Sequence, residues 1–224
     1  MNENTISKKN FINYVLNIAK SNLRNIIIFL SLSFGLFLSF QIYSFYSSNK
    51  IQNNSIEFFK AQNLKDTSAI TEIMTALSKE NNFYGILSKL ELVKVNFEQN
   101  NYENAITLYL EVLNNKDLDT VYKSAIASRA SYEFIDINFN NLSIDYSKVI
   151  NEFISYIDKN LESYQGIKLE LNYLNKILEG EKNSIEYKNF NEIIEMYNNT
   201  INSDVVSSAT KERISKIHEF FSNK

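Results

Sequence analysis

The side chains that could do chemistry are few. The chain has no Cys and a single His, His218, beside 26 Asp and Glu and 23 Lys and Arg in 224 residues. Thiol nucleophiles, disulfides and Cys-based zinc sites are excluded, and a lone imidazole is a poor basis for a His-based metal site or a catalytic triad. None of the patterns G-x-x-x-x-G-K-[ST], G-x-G-x-x-G, H-E-x-x-H or G-x-S-x-G occurs. The acidic residues fall mostly on the polar faces of helical stretches, and Asp117 with Asp119 in NNKDLDT reads as a turn and a helix cap. His218, in ERISKIHEFF, lies among charges and reads as a solvated surface residue. Arg129, one of three Arg, sits among Ala125, Ala127 and Ala130. It is either paired with a carboxylate on a neighbouring helix or a contact for a protein partner. The expectation is a protein that is not an enzyme and takes no cofactor, metal or small-molecule substrate.

The elements that would carry these residues are helices. With no Pro and only four Gly, turn-dense sandwiches and Gly-rich phosphate-binding α/β folds are disfavoured. The 33 Asn are spread along the chain and read as compositional drift. The 14 Tyr and 16 Phe have two readings, as filling for helical cores or as a concave aromatic groove for peptides.

Asn25 to Asn49 contains no charged residue, and Ile26 to Tyr46 reads IIIFLSLSFGLFLSFQIYSFY. At about 1.5 Å per residue the 21 residues span roughly 31 Å, the thickness of a hydrocarbon core. Its four Ser can bond back to their own helix carbonyls, and Tyr43 and Tyr46 stand where an interfacial aromatic belt belongs. Ser31, Gly35 and Ser39, four apart, form a small-residue face suited to packing against another helix in lipid. The region before the span has a balance of +3 and the region from Lys50 onward one of −6. The positive-inside bias therefore keeps the N-terminus cytoplasmic and exports the region beyond Tyr46. The long positive region, the long apolar run and QIYSFYSSNK without a small-x-small site favour an uncleaved anchor over a signal peptide. Phe11, Val15 and Ile18 give the N-terminal tail an amphipathic face, which either lies along the leaflet or extends the anchor helix. The expected division is a tail at 1–25, an anchor at 26–46, connecting helices at 47–82 that either pair or continue the anchor, and helical repeats at 83–224.

Beyond Ile51 the apolar residues step by three and four: Ile70, Ile73, Met74, Leu77; Phe83, Ile86, Leu90, Val93, Phe97; Ala105, Tyr109, Val112 or Leu113; Leu118, Val121, Ala125, Phe134. The pattern continues through Tyr146 to Ile157, Leu161 to Leu178, Phe190 to Ile201 and Thr210 to Phe221. Short polar separators lie at 81–82, 100–101, 114–115, 138–141, 180–183 and 202–204. Lys89-Leu90-Glu91-Leu92 recurs as Lys168-Leu169-Glu170-Leu171, with Arg129-Ala130 midway. A period near 40 residues is that of an α-solenoid of helix pairs. In NFEQNNYENAITLYLEVL, Tyr102, Ala105, Ile106, Tyr109 and Leu113 fall where a tetratricopeptide repeat places its packing residues. The expected fold class is all-α: a transmembrane helix, then a tetratricopeptide-like α-solenoid of antiparallel helix pairs with a C-terminal cap.

A basic tail, one span and degenerate repeats, with ENNFYGILSKLELVKVNFEQNNYENAITLYLEVL, YKSAIASRASYEF and LESYQGIKLELNYLNKILEGEKN as the specific echoes, together resemble a family of single-span bacterial tetratricopeptide-like proteins. Members of that family are ancillary subunits of the Sec translocon. The resemblance implies a bacterial inner-membrane protein with a periplasmic repeat domain. It also implies protein partners, the translocon and periplasmic chaperones or exported chains. A scaffold for cell-wall or cytochrome-maturation complexes has the same architecture. Nucleic acid is not an expected partner, because the part after the span is net acidic.

The charge contrast sets a first test. Protease added to spheroplasts is expected to digest the region beyond Tyr46 and spare the N-terminal tail, with the chain resisting carbonate extraction. A protected C-terminus, or release by carbonate, excludes this orientation.

Overall fold

A computed structural model describes Lys20, Asn22 to Asn183 and Asn191 to Asn223. All regular structure among these residues is helical: α1 (Leu23–Gln62), α2 (Thr67–Leu77), α3 (Phe83–Glu98), α4 (Tyr102–Leu113), α5 (Thr120–Asn140), α6 (Ser147–Ser155), α7 (Glu162–Lys182), α8 (Asn191–Ile201) and α9 (Ser208–Ser222). The amphipathic face at Phe11, Val15 and Ile18, and Phe190, lie outside the described residues. The chain divides into two compact units, Met1–Lys60 and Ala61–Lys224.

The first unit consists, among its described residues, of α1. Its most apolar 18-residue window has a mean hydropathy of 2.0 and none of it is buried. It is long and apolar enough to cross a membrane. The Ser39 hydroxyl donates to the Gly35 carbonyl at 2.9 Å, so this polar group is satisfied without water. The helix does not stop at the end of the apolar run but continues to Gln62. After Gly35 no Gly or Pro interrupts the sequence until Gly85, and polar residues such as Ser47 to Lys50 do not break a helix already propagating. The stretch 47–82 is thus part continuation of α1 and part the separate helix α2.

In the second unit the helix starts follow cap chemistry. Asp66, Asn82, Asp119 and Ser207 each accept a first-turn backbone N–H at the start of α2, α3, α5 and α9. At the end of α3, Asn100 takes φ 56°, a conformation Asn tolerates, and the Asn101 N–H returns to the Asn96 carbonyl at 2.8 Å. Successive helices pack on each other from α2 to α9, and α5 and α9 also contact α7. The main core joins Val93 from α3, Ala105, Tyr109 and Leu113 from α4, Phe134 from α5, Ile150 and Phe153 from α6, and Leu171 and Leu178 from α7. A smaller cluster of Tyr173, Ile177, Ile193 and Ile214 holds α7, α8 and α9 together.

The buried faces depart from the apolar stripes in two helices. On α3, Phe83 is 56% exposed, while Ser88, Leu92 and Val95 are buried beside Val93. On α5, Val121 and Ala125 are exposed and the buried face is Ser124, Ala127, Ser128, Ala130, Ser131 and Phe134. Small and hydroxylic side chains leave no hydropathy signal but let neighbouring helices come close. Each buried serine of α5 is accounted for: Ser128 donates to the Ser124 carbonyl at 2.7 Å, Ser131 to the Ala127 carbonyl at 2.8 Å, and the Ser124 hydroxyl accepts the Asp158 N–H at 3.0 Å. The separators shift as well. Asn138 and Gly180 are buried inside α5 and α7, and the loop joining α6 to α7, 156–161, lies at none of the expected separators. The three positions Lys89, Arg129 and Lys168 do not share an environment. Lys89 pairs with Glu111 on α4 at 2.6 Å and Lys168 donates to the Ile157 carbonyl at 2.8 Å, whereas Arg129 pairs within its own helix.

Two glycines mark close approaches. A Cβ on Gly85 would lie 2.0 Å from the Glu80 carbonyl oxygen, and one on Gly166 would lie 2.9 Å from that of Val205. The chain before α3 and the chain before α9 therefore sit on helix backbone that only glycine leaves bare.

Ala105 is fully buried and Asn104 beside it is exposed. Ala105→Leu is expected to overpack the α4 contact and cost about 1 to 3 kcal/mol, with Asn104→Leu nearly neutral, in chemical denaturation followed by circular dichroism. Equal effects would show that the buried face of α4 is wrongly phased.

Candidate functional site

The most demanding group in the second unit is the carboxylate of Glu170, only 1% exposed in the middle of α7. A buried charge is tolerated only when paired and hydrogen-bonded. Arg213, from the second turn of α9, supplies a two-pronged contact: Nε to Oε1 at 2.6 Å and Nη2 to Oε2 at 2.6 Å. The Tyr132 hydroxyl, from α5, donates to Oε2 at 2.7 Å. Three helices converge on one carboxylate. Burial, then the hydrogen bond to Glu170, raises the Tyr132 hydroxyl far above its ordinary value, and the contact with Glu170 raises that of Arg213. Both groups keep their protons at any physiological pH.

Above the pair lies an open cavity of about 550 Å³, lined by Tyr132, Gly166, Ile167, Glu170, Val205, Thr210 and Arg213 among others. Its position follows from local structure. Gly166 lets the 202–207 segment lie against α7 one turn before Glu170, and the Ser207 cap starts α9 so that Thr210 and Arg213 face the same space. Neither Glu170 nor Arg213 belongs to a recognisable motif. The signal available is spacing: Glu170 stands three residues after Ile167 and four before Leu174, on the buried stripe of α7, where a lone acid requires a partner.

Arg129 has a different setting from the one its alanine neighbours suggest. Its side chain is 66% exposed, on the outer side of α5 with Ala125, and it pairs with Glu133 one turn on in the same helix at 2.8 Å. The pairing is within the helix and not with a neighbouring one. Glu133 also accepts the Tyr109 hydroxyl at 2.6 Å, so a tyrosine, a glutamate and an arginine meet here as they do at Glu170. Of the other repeat-packing residues, Ala105, Ile106, Tyr109 and Leu113 are buried, and Tyr102 is half-buried with its hydroxyl on the Asn100 side chain at 2.8 Å. Rings of Phe97, Tyr102, Tyr109, Phe134, Tyr146 and Phe153 form a continuous set with centroids 5.0 to 6.5 Å apart, edge-to-face except for the tilted Phe134–Phe153 pair. These aromatics are core and not a concave groove. On α1, Ser31, Gly35 and Ser39 are exposed, and a Cβ on Gly35 would meet nothing within 4 Å.

His218 is not the solvated residue its charged surroundings suggest. It is half-buried and stacked on Tyr197 of α8, with ring centroids 3.7 Å apart and planes 8° from parallel. Burial lowers its pKa below the ordinary value, so the folded state favours the neutral ring. The unfolded chain then binds more protons as pH falls through about 6.5, and stability drops from there down to the lowered folded pKa. As the sole His, His218 is expected to account for the fall in thermal midpoint between pH 7.5 and 5.5. His218→Phe, which keeps the stack, should flatten it, and an unchanged slope would remove the assignment.

The two arginines give a second contrast. Arg213→Ala strands a buried carboxylate and is expected to cost about 3 kcal/mol, whereas Arg129→Ala breaks an exposed pair within one helix and should cost under about 1 kcal/mol. Denaturant midpoints of the two variants check the order, and equal losses would mean that Glu170 is not held by Arg213.

No protein-family model matches the chain, no curated protein is significantly similar to it, and no solved structure matches it.

Proposed function

We propose that this protein is a non-enzymatic, membrane-anchored interaction module. The observation that carries the reading is α1: a helix with a mean hydropathy of 2.0 over its most apolar window, none of it buried, standing between a flank of +3 and a remainder of −6. Apolar surface of that extent in water is an aggregation hazard, and in lipid it is an anchor. The N-terminus is cytoplasmic and the helical unit is exported, at the bacterial inner membrane. The packing of α3 on α4, α5 on α6 and α7 on α8, with small residues such as Ala105 at the contact, supports a tetratricopeptide-like solenoid of antiparallel pairs capped by α9. In this reading the module links the Sec translocon to emerging chains or periplasmic chaperones. The resemblance of its repeat segments to the ancillary translocon subunits supports that choice of partner.

Contact with the translocon is made in the membrane plane through the face at Ser31, Gly35 and Ser39, where the open space over Gly35 admits a close helix approach. Photo-crosslinkers placed on this face are expected to capture translocon subunits in cells. Replacing Ile26 to Tyr46 by an unrelated span should reduce that co-purification several-fold while the helical unit stays folded. Co-purification at the parent level would show that the span is only a tether, and an absence of protein partners from crosslinkers on both the span and the helical unit would refute the interaction reading itself.

A further inference from the structure

The cavity beside Glu170 has an imbalance of hydrogen-bonding groups. Its charged acceptor is engaged, because both oxygens of Glu170 are taken by Arg213 and Tyr132. Two of its donors are spent too: Tyr132 gives its proton to Glu170, and Ser207 donates to the Thr210 hydroxyl at 3.0 Å. What remains on the wall is one charged donor, Arg213, beside hydroxyls that can donate or accept. Arg213 uses two of its five N–H groups on Glu170 and leaves three, with its side chain 54% exposed. Thr210, as an acceptor from Ser207, keeps its own proton, and Ser163 stands at the mouth. Beside these lie the aliphatic side chains of Ile167 and Val205. Glu170 does more than neutralise Arg213. Held by two prongs to an almost fully buried carboxylate, the guanidinium plane is fixed before any ligand arrives, so little side-chain entropy remains to be lost on binding.

We propose that this cavity is a subsite for a peptide carboxylate flanked by a small apolar side chain, with the outer edge of Arg213 as the reader, Thr210 and Ser163 as supporting donors, and Ile167 and Val205 as the apolar wall. Its volume of about 550 Å³ lies within the range of ligand pockets. The ligand's carboxylate is either a chain terminus or an acidic side chain; both present the same planar pair of oxygens to the fork. The inference rests on the interaction reading above and names the chemistry that such a module would recognise in a client chain.

The test uses the full chain in phosphatidylcholine nanodiscs and fluorescence polarisation of three labelled peptides: Gly-Ser-Ala-Val with a free C-terminus, the same peptide as its C-terminal amide, and the amide Gly-Ser-Asp-Val. At least one of the two acids should bind ten-fold or more tightly than the neutral amide, and which one does identifies the source of the carboxylate. Arg213→Lys, which keeps a positive partner for Glu170 but loses the fork, should weaken that binding about ten-fold with the circular dichroism spectrum unchanged. Val205→Trp, a substitution at an exposed wall residue away from the charge pair, should block it. Equal binding of all three peptides, no binding of any, or parent affinity in both variants overturns the subsite. Loss of the subsite with protein partners still captured by crosslinkers leaves the interaction reading standing, and loss of those partners removes both.

Discussion

The helical unit depends on how closely other helices can approach α5. Over its 21 residues the buried face carries three serines and two alanines before the first large side chain, Phe134. The helix touches α4, α6 and α7. Large side chains at Ser124, Ala127 or Ser131 would hold those helices apart, and the ring set around Phe134 could not close. A small face made of alanine alone would give the same approach. Serine gives it and adds a polar tie, since Ser124 receives the Asp158 backbone N–H from within the α6 to α7 loop. A buried hydroxyl without a partner costs about 1 to 3 kcal/mol, and here the chain's own carbonyls and amides remove that cost.

Once α5 and α7 are that close, Tyr132 and Glu170 come within hydrogen-bonding distance, and the choice of a charged residue at Glu170 dictates how α9 must sit. Replacing the Glu170 and Arg213 pair by well-packed apolar residues would be roughly neutral in stability. The pair is therefore poorly explained as a source of net stability. Its effect is on placement: a two-pronged contact has one geometry, whereas the apolar contacts of Ile214 with Tyr173, Ile177 and Ile193 admit small slides. The same contact fixes the cavity wall, so the register of the last helix and the presentation of the Arg213 guanidinium are one structural fact.

What the sequence discloses is divided by physics. Helical character and the long apolar helix are legible because they rest on periodicity and on a charge-free run. The buried residues of α4, Ala105, Ile106, Tyr109, Val112 and Leu113, are legible because they are apolar at helical spacing. The buried face of α5 is not, since serine and alanine carry no hydropathy contrast. For Glu170 the spacing marks only an acid on a buried stripe; that Arg213, 43 residues away, is its partner is not legible, because Arg213 reads as a surface charge. His218 misleads in the opposite direction, because Glu219 beside it points elsewhere on the helix while the imidazole meets Tyr197. Neighbours in sequence on a helix face different ways, so local charge density says little about one side chain's surroundings.

Serines in the two units share one device. In α1, Ser39 returns its proton to the Gly35 carbonyl; in α5, Ser128 and Ser131 return theirs to Ser124 and Ala127. In a helix that crosses a membrane the bond would be needed because no water is available, and in the core it is needed because close packing excludes water. A hydroxyl so engaged presents its methylene outward and behaves as a slightly larger alanine. Its side chain then adds little hydrogen-bonding demand to a helix contact. Contacts at such faces are set by shape, and a partner for the face at Gly35 would be selected by how closely its own helix can approach. The cavity at Arg213 is the converse case, with unspent donors on a rigid wall, where selection follows the ligand's oxygens more than its shape.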